Sequence, residues 1–229
     1  MEPGADGPGS APPACPARGR SRRWTPSPPP TCGPGRRDNS DGKGCGPAYV
    51  ARGAGGGWSE LPEPDGLACL DALDADAAGA WVAGRADTAH HGSALYRWSG
   101  TAWTAHAVGA TNIVDVRQRA PGDVWAVGTT TPYDDEAYAA RYDGSAWHDM
   151  TPPQLAGEEA GLSAVLPLAA DDVWVTGYVE WTTGLHKARS YHWDGTAWRE
   201  VPMPANTYLR GALVEDGTRD GKPIVLARD

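Results

Sequence analysis

A tryptophan-centred motif occurs three times in this chain of 229 residues. Each copy starts with Trp-x-x-Gly and ends with a tight Gly-Ser/Thr-Ala-Trp segment. The copies begin at Trp81, Trp125 and Trp174 and end at Trp103, Trp147 and Trp198. The first Trp recurs after 44 and 49 residues, and the last Trp after 44 and 51 residues. Self-similarity with a period in this range indicates a chain built from stacked supersecondary units.

The third copy is the most regular, and its pattern predicts four strands, named a to d. They are residues 162–168, 173–178, 189–193 and 197–201. Strands b and c are rich in the β-branched and aromatic residues typical of strands, and Asp194-Gly195 is a strong hairpin signal between c and d. The other copies give 67–73, 80–84, 94–98 and 102–107, then 111–117, 123–128, 137–142 and 146–150. The sequence therefore predicts an all-β fold, a β-propeller of four-stranded antiparallel blades.

Two half copies flank the three complete ones. Upstream, residues 48–52 and 58–62 match strands c and d. Downstream, residues 208–214 and 223–228 match strands a and b. The halves could join into a fourth blade that closes a ring, or they could be the ends of a fragment of a larger propeller. Unpaired blade edges in such a fragment would favour self-association.

Composition divides the chain near residue 48. The first 48 residues hold 11 of the 21 Pro and three of the four Cys, with few aliphatic residues that could be buried. Such a segment cannot offset the entropy cost of ordering, so residues 1–47 are predicted to be a disordered tail and residues 48–229 the propeller. The Pro, Gly and Arg bias of the tail would also fit a start codon assigned too early or a shifted reading frame.

Charge and hydropathy exclude several function classes. The tail has a net charge of +3 and the whole chain one of −9, so the remainder has a net charge of −12. An acidic body argues against nucleic acid as the main partner. No stretch reaches the roughly 20 apolar residues of a membrane span, and the N-terminus has no apolar core of a secretory signal. Cys15, Cys32 and Cys45 form no CxxC pair, so neither a zinc site nor a disulfide framework is indicated. Cys69 is interpreted as a small buried hydrophobe.

The residues of the second copy carry a family resemblance. Asp123-Val-Trp-Ala-Val-Gly128 followed by Tyr142-Asp-Gly-Ser-Ala-Trp147 resembles kelch and galactose-oxidase-like propeller repeats, of the type seen in secreted or envelope proteins of actinobacteria. A single Gly replaces the usual Gly pair, and the spacing from Tyr to Trp is shorter. The resemblance implies an extracellular or envelope location. Galactose oxidase would imply a copper site of Tyr and His ligands, but the matching positions here are structural, so no catalytic residue is carried over.

The recurring tryptophans are interpreted as structural, because one binding site would not need the same residue in every repeat. Trp81, Trp125 and Trp174 are predicted to fill the space between neighbouring blades. The outer strand is predicted to be anchored by Trp58, Trp103, Trp147 and Trp198.

Candidate binding residues lie where the repeat stops repeating. The loops between strands b and c, predicted at residues 85–93, 129–136 and 179–188, differ most between copies. Trp181 has no counterpart in the other copies, and Tyr178 and His186 lie near it in sequence. His90 belongs to the first of these loops and Asp134 to the second, where a solvated loop and turn chemistry are favoured over metal binding. The candidate binding residues are Trp181, Tyr178, His186, His90 and Asp134.

No sequence motif for catalysis is present: there is no Ser-His-Asp order, no Gly-rich phosphate loop and no HExxH. We therefore expect no catalytic residue, bound metal or cofactor. The leading hypothesis is a non-enzymatic propeller that binds a protein or a glycan through its b to c loops. The alternatives are a glycan-acting hydrolase or lyase, a metal oxidase, and a gene fragment without independent function.

Overall fold

The fold was analysed in a computed structural model of the chain. The structure describes residues 32–36, 48–54, 57–67, 69–76, 79–85, 92–131, 136–182, 185–203, 218–219 and 222–223. The strands of the first two sheets are β1 (Cys32–Arg36), β2 (Ala48–Ala54), β3 (Gly57–Glu60), β4 (Cys69–Asp76), β5 (Gly79–Arg85), β6 (Ser93–Trp98) and β7 (Trp103–His106). They are followed by β8 (Asn112–Ala120), β9 (Asp123–Thr129), β10 (Ala137–Tyr142), β11 (Trp147–Asp149), β12 (Ala160–Ala169), β13 (Asp172–Thr182), β14 (Leu185–Trp193), β15 (Trp198–Val201), β16 (Thr218–Arg219) and β17 (Lys222–Pro223).

Three four-stranded antiparallel sheets correspond to the three motif copies. Their orders are β4-β5-β6-β7, β8-β9-β10-β11 and β12-β13-β14-β15, which are strands a, b, c and d of successive blades. A short 3-10 helix, Pro153–Leu155, lies between the second and third blades. The predicted all-β fold of four-stranded antiparallel blades is confirmed. Of the predicted downstream half copy, residues 208–214 lie outside the described residues, and only Pro223 of its second strand is described, in the β16-β17 hairpin.

The turn between strands c and d has the same construction in the second and third blades. Asp143 and Asp194 each accept hydrogen bonds at Oδ1 from the backbone N–H groups two and three residues later, at 2.8 to 3.0 Å. Gly144 and Gly195 follow them with φ of 99° and 90°, a conformation that glycine adopts without strain. The hydroxyl of Thr196 also donates to Asp194 Oδ1, and this bond together with the backbone bonds lowers the pKa of Asp194 to about 2. Hydrogen bonds, first of all that from the Ala146 N–H, likewise lower the pKa of Asp143.

A glycine and a bulge face each other in every complete blade. Strand a makes a register shift opposite the glycine of Trp-x-x-Gly, at Gly84, Gly128 and Gly177. A Cβ at these positions would stand 1.8 to 2.0 Å from a carbonyl oxygen of strand a. The motif therefore keeps glycine because the bulge brings the two backbones together.

Strand a of one blade packs against strands a and b of the preceding blade. Strand β8 contacts β4 and β5, and β12 contacts β8 and β9. One apolar cluster between the first and second blades includes Trp81, Ile113 and Tyr142, and another between the second and third includes Trp125, Val165 and Trp198. Each blade therefore buries its apolar face against the next one.

A partial blade precedes the three complete ones. Strands β2 and β3 pair as the predicted strands c and d. Strand β1 pairs with the other edge of β2, which is the position of strand b in a blade, and contacts β4. No strand was expected in this part of the tail. Pro34 has no N–H to donate and is tolerated because β1 is an edge strand of the described sheet.

The register of β1 matches strand b of the first complete blade residue by residue. Gly53 faces Trp58 as Trp98 faces Trp103, so Arg52 occupies the position of Arg97. Arg52 pairs with Cys32, and Arg97 pairs with Trp81. Along the two strands, Cys32, Gly35 and Arg36 therefore correspond to Trp81, Gly84 and Arg85.

The expectation about Cys69 is wrong in one respect. The side chain is fully buried, as predicted, but Cys69 is disulfide-bonded. The spacing of the cysteines gave no sign of this bond, because a disulfide depends on proximity in the folded chain. Within the described residues, no helix has the length and apolar character that crossing a membrane requires.

Candidate binding site

In the described part of the chain, the b to c ladder is longer in the third blade than in the other two, whose b to c connections lie largely outside the described residues. Strand β13 continues four residues further past its Trp than β9 does, and β14 begins correspondingly early. The ladder from β13 to β14 reaches the pair Thr182 and Leu185, so the predicted loop at 179–188 is wrong: these residues are strand except for 183–184, which lie outside the described residues. Three to four further residues at about 3.3 Å each extend the hairpin by roughly 10 to 13 Å.

Two of the predicted binding residues meet on this hairpin. The rings of Tyr178 and His186 stack with centroids 4.4 Å apart and planes at 25°. Both side chains are half-buried. The opposite neighbour of Tyr178 is Gly161 on β12, where a Cβ would stand 2.6 Å from the tyrosine Oη. The glycine therefore lets the ring lie across strand a, and we call Gly161, Tyr178 and His186 the aromatic platform.

The base of the hairpin is held by the segment that precedes the third blade. The backbone N–H of Glu180 donates to the carbonyl oxygen of Glu159 at 2.7 Å. Glu180 also faces His186 across the ladder, and the next residue, Lys187, is exposed. Because neighbouring strand residues point to opposite faces, Glu180 shares the face of the platform and Lys187 does not. The platform thus has a fixed backbone and an acidic side chain beside it.

Trp181 lies within β13, on the same extension as the platform. Its side chain and the residues His90 and Asp134 lie outside what the structure describes. No group of three or more His, Cys, Asp or Glu suited to a metal ion occurs in the described part of the chain.

The recurring tryptophans of strand b lie between blades or at the last blade's face. Trp81 meets Trp147 of the next blade at 5.6 Å, and Trp125 meets Trp198 at 6.1 Å, both pairs with planes at 89°. Trp174 belongs to the last complete blade and is half-buried. Of the strand d tryptophans, Trp198 is buried and Trp103 and Trp147 are half-buried, whereas Trp58 is 51% exposed and stacks over Gly53.

A cationic or imidazole side chain covers each strand b tryptophan from strand c. The guanidinium carbons of Arg97 and Arg141 lie 5.9 Å from the ring centroids of Trp81 and Trp125. His192 has the same place in the third blade, stacks on Trp174 at 4.4 Å, and contacts Asp172 Oδ1 through Nε2 at 2.8 Å. Because the arrangement recurs, we interpret the His192 and Asp172 pair as part of the blade construction.

Two half-buried carboxylates have a role that the sequence did not predict, since Asp74 was interpreted as turn chemistry and Asp115 was not singled out. Asp74 accepts from the backbone N–H of Gln118 at 2.6 Å, and Asp115 accepts from that of Val165 at 3.0 Å. Each bond runs from strand a of one blade to strand a of the next. Burial raises the pKa of both carboxyls. The repeat gave no sign of them, because the two acids occupy different positions in their strands.

Comparisons with known proteins show the fold. No protein-family model matches the chain, and neither does any curated protein. The structure of YCF48 bound to D1 peptide matches with a TM-score of 0.51 and 11% identity, over 79% of this chain and 56% of that one. A protein of unknown function from Dyadobacter fermentans matches at 0.46, with 18% identity over 71% and 54% of the two chains.

The fucose-specific lectin from Aleuria aurantia matches at 0.45, with 11% identity over 73% and 56% of the two chains. The chain therefore spans a little over half the length of each of these solved structures. At 11% identity the likeness to YCF48 concerns architecture, and it agrees with the blades described above.

Proposed function

We propose that this chain is a non-enzymatic β-propeller scaffold that binds a protein or a glycan through the b to c side of its third blade. The observation that carries the proposal is the aromatic platform of Gly161, Tyr178 and His186 on the extended hairpin. Within the described residues, the b strands of the first two blades are shorter, so a blade is complete without the further ladder pairs of the third. Residues that a blade does not need for its own sheet are available for recognition.

The chemistry of the platform suits either ligand class. A stacked pair of aromatic rings offers a flat apolar surface at low cost in side-chain entropy, and Glu180 stands beside it on the same face of the sheet. YCF48, whose fold matches, was solved with a bound peptide, which supports a peptide segment as one ligand. The proposal includes Trp181 as a further contact residue, since it lies on the same extension.

The location and the finer family assignment are also proposals. We propose that the chain is a kelch-like repeat protein of the secreted or envelope type. The disulfide at Cys69 supports an oxidising compartment, because structural disulfides persist there and are rare in the cytosol.

Binding is tested with the full chain on a peptide array and a glycan array, and each hit is titrated by calorimetry. Tyr178→Ala and His186→Ala are expected to weaken a true ligand by about tenfold, the equivalent of 1.4 kcal/mol. His148→Ala is the matched control, because His148 is exposed on strand d of the second blade, away from the hairpin.

Two results would contradict the proposal. One is binding that the three variants leave equally strong, which would place the ligand elsewhere. The other is a blank on both arrays together with turnover in a panel of glycan and oxidase substrates, which would make the chain an enzyme.

A further inference from the structure

A disulfide joins the tail to the first complete blade. Cys69, the first residue of β4, is buried and disulfide-bonded. The chain has four cysteines, and the other three, Cys15, Cys32 and Cys45, all lie in the first 47 residues. The bond at Cys69 is therefore a covalent connection between the propeller and a segment that composition assigns to the tail.

Cys32 lies too far along the sheet from Cys69 to form this bond. Cys32 occupies the position that Trp81 has in the first complete blade. The Nε1 of Trp81 donates to Gln118 Oε1 at 2.9 Å, and Gln118 lies near the C-terminal end of strand a in the next blade. Gln118 pairs with the residue before Trp125, as Ala75 pairs with the residue before Trp81. By this repeat, Cys32 is level with Ala75, six residues from Cys69 along β4. Six strand residues span about 20 Å, whereas the Cα atoms of a disulfide lie about 4.4 to 6.8 Å apart.

Cys45 lies close in sequence to the start of β2. It precedes Ala48, the first residue of β2, by three residues, so its Cα lies within roughly 10 Å of that of Ala48. Near the start of β2, Val50 belongs to the same apolar cluster as Leu67 and Leu70, which flank Cys69. The start of β2 and the start of β4 are therefore on one side of the molecule.

We infer that Cys45 and Cys69 form a disulfide that clips the b to c connection of the partial blade to strand a of the first complete blade. In forming it, the two S–H bonds break and one S–S bond forms. Two protons pass to solvent, and two electrons pass to the disulfide of a thiol oxidoreductase or of oxidised glutathione. The clip fixes β2 beside β4. It also implies that the chain folds where such an oxidant is present.

A tryptic map under non-reducing conditions tests the pairing directly. The full chain is produced in a bacterial periplasm or refolded with reduced and oxidised glutathione, and free thiols are alkylated before digestion. Cleavage after Lys and Arg places each cysteine on its own peptide, at residues 1–18, 24–36, 44–52 and 53–85. The expected product is one linked pair, 44–52 with 53–85, together with alkylated 1–18 and 24–36. Linkage of 53–85 to either other peptide, or alkylation of Cys69, would overturn the inference.

Stability gives a second readout with a matched control. Cys45→Ser and Cys69→Ser are each expected to lower Tm by roughly 5 to 15 °C, and a reducing agent should lower the Tm of the unaltered chain by a similar amount. Cys32→Ser should leave Tm and its sensitivity to the reducing agent unchanged. A Cys45→Ser variant as stable as the unaltered chain, and still sensitive to the reducing agent, would show that another cysteine holds Cys69. None of these outcomes depends on ligand binding, so they are independent of the proposed function.

Discussion

At the scale of single residues, the glycine of Trp-x-x-Gly is the position where the repeat tolerates least change. Gly128 lies opposite a bulge, and a Cβ there would stand 1.8 Å from the Asn112 carbonyl oxygen. Backbone cannot move aside as a flexible side chain can. The glycine of the motif is therefore required because strands a and b approach each other closely in every complete blade.

Gly128→Ala is accordingly expected to lower the free energy of unfolding by roughly 3 kcal/mol, the upper range for overpacking in a core. Urea denaturation followed by tryptophan fluorescence measures the change. Gly57→Ala is the control, because nothing lies within 4 Å of a Cβ built there, and its effect should stay within about 0.5 kcal/mol. Equal losses in the two variants would mean that the bulge relaxes around the methyl group.

Asp115 gives a pH dependence whose sign follows from its burial. Burial raises the pKa of Asp115 above 3.8, although Arg117 and the Val165 N–H oppose the shift. As pH rises above about 3.9, the unfolded carboxyl ionises first, so the folded state binds more protons and stability decreases until the folded pKa is passed. Asp115→Asn retains an acceptor for Val165 and should flatten this decrease.

The measurement is the free energy of unfolding in urea at intervals from about pH 2 upward, which covers the range in which Asp194 titrates. Asp194→Asn serves as the contrasting variant, because the pKa of Asp194 is lowered to about 2 and its stabilising contribution is present at neutral pH and lost as pH falls. The two substitutions should therefore change the slope in opposite senses. If Asp115→Asn steepened the decrease in stability, the raised pKa of Asp115 would be contradicted.

At the scale of elements, the burial of each strand b tryptophan depends on whether another blade packs against it. Trp81 is 1% exposed and packs against the second blade, so Trp81→Ala should cost roughly 3 to 5 kcal/mol of unfolding free energy. Trp174 occupies the same position in the last complete blade and is half-buried, so Trp174→Ala should cost clearly less. Denaturant titration of both variants gives the comparison. Equal costs would indicate that a further blade covers Trp174.

The sequence predicted these elements well where local signals and the repeat agree. In the third blade, β-branched residues around Trp174 and the Asp194-Gly195 turn mark a strand and a hairpin without knowledge of the fold. The hairpin extension was missed because residues 179–188 include Glu, Thr, Gly, His and Lys, which are usual in loops. The signal in the sequence that could have predicted the extension is Thr183-Gly184. These two residues stand between two segments whose side chains can alternate between the faces of a sheet.

Strand β1 shows the opposite case, in which local preference is overruled. Cys32-Gly-Pro-Gly-Arg36 has no good strand former, and Gly and Pro both weaken strands. Its extended conformation follows from the edge of β2, which offers backbone partners that only the fold brings within reach. For the same reason the sequence named Tyr178 and His186 but not Gly161, whose role depends on a neighbouring strand.

At the scale of the whole molecule, two of the recurring tryptophans, Trp58 and Trp174, have no tryptophan partner among the described residues. At both interfaces between complete blades, a strand b tryptophan meets a strand d tryptophan of the next blade edge to face. Trp174 would supply the first partner of another such pair, and Trp58 the second.

We therefore expect the chain to associate head to tail, with Trp174 of one copy against Trp58 of another, because a heterologous contact joins different faces of identical chains. Sedimentation velocity at increasing concentration should show growth in mean mass, and Trp58→Ala should weaken it. Since Trp58 is 51% exposed within one chain, its loss should leave the Tm of the dilute protein nearly unchanged. A concentration-independent monomer whose Tm falls sharply in Trp58→Ala would instead indicate that the two faces meet within one chain, as a closed four-blade ring requires.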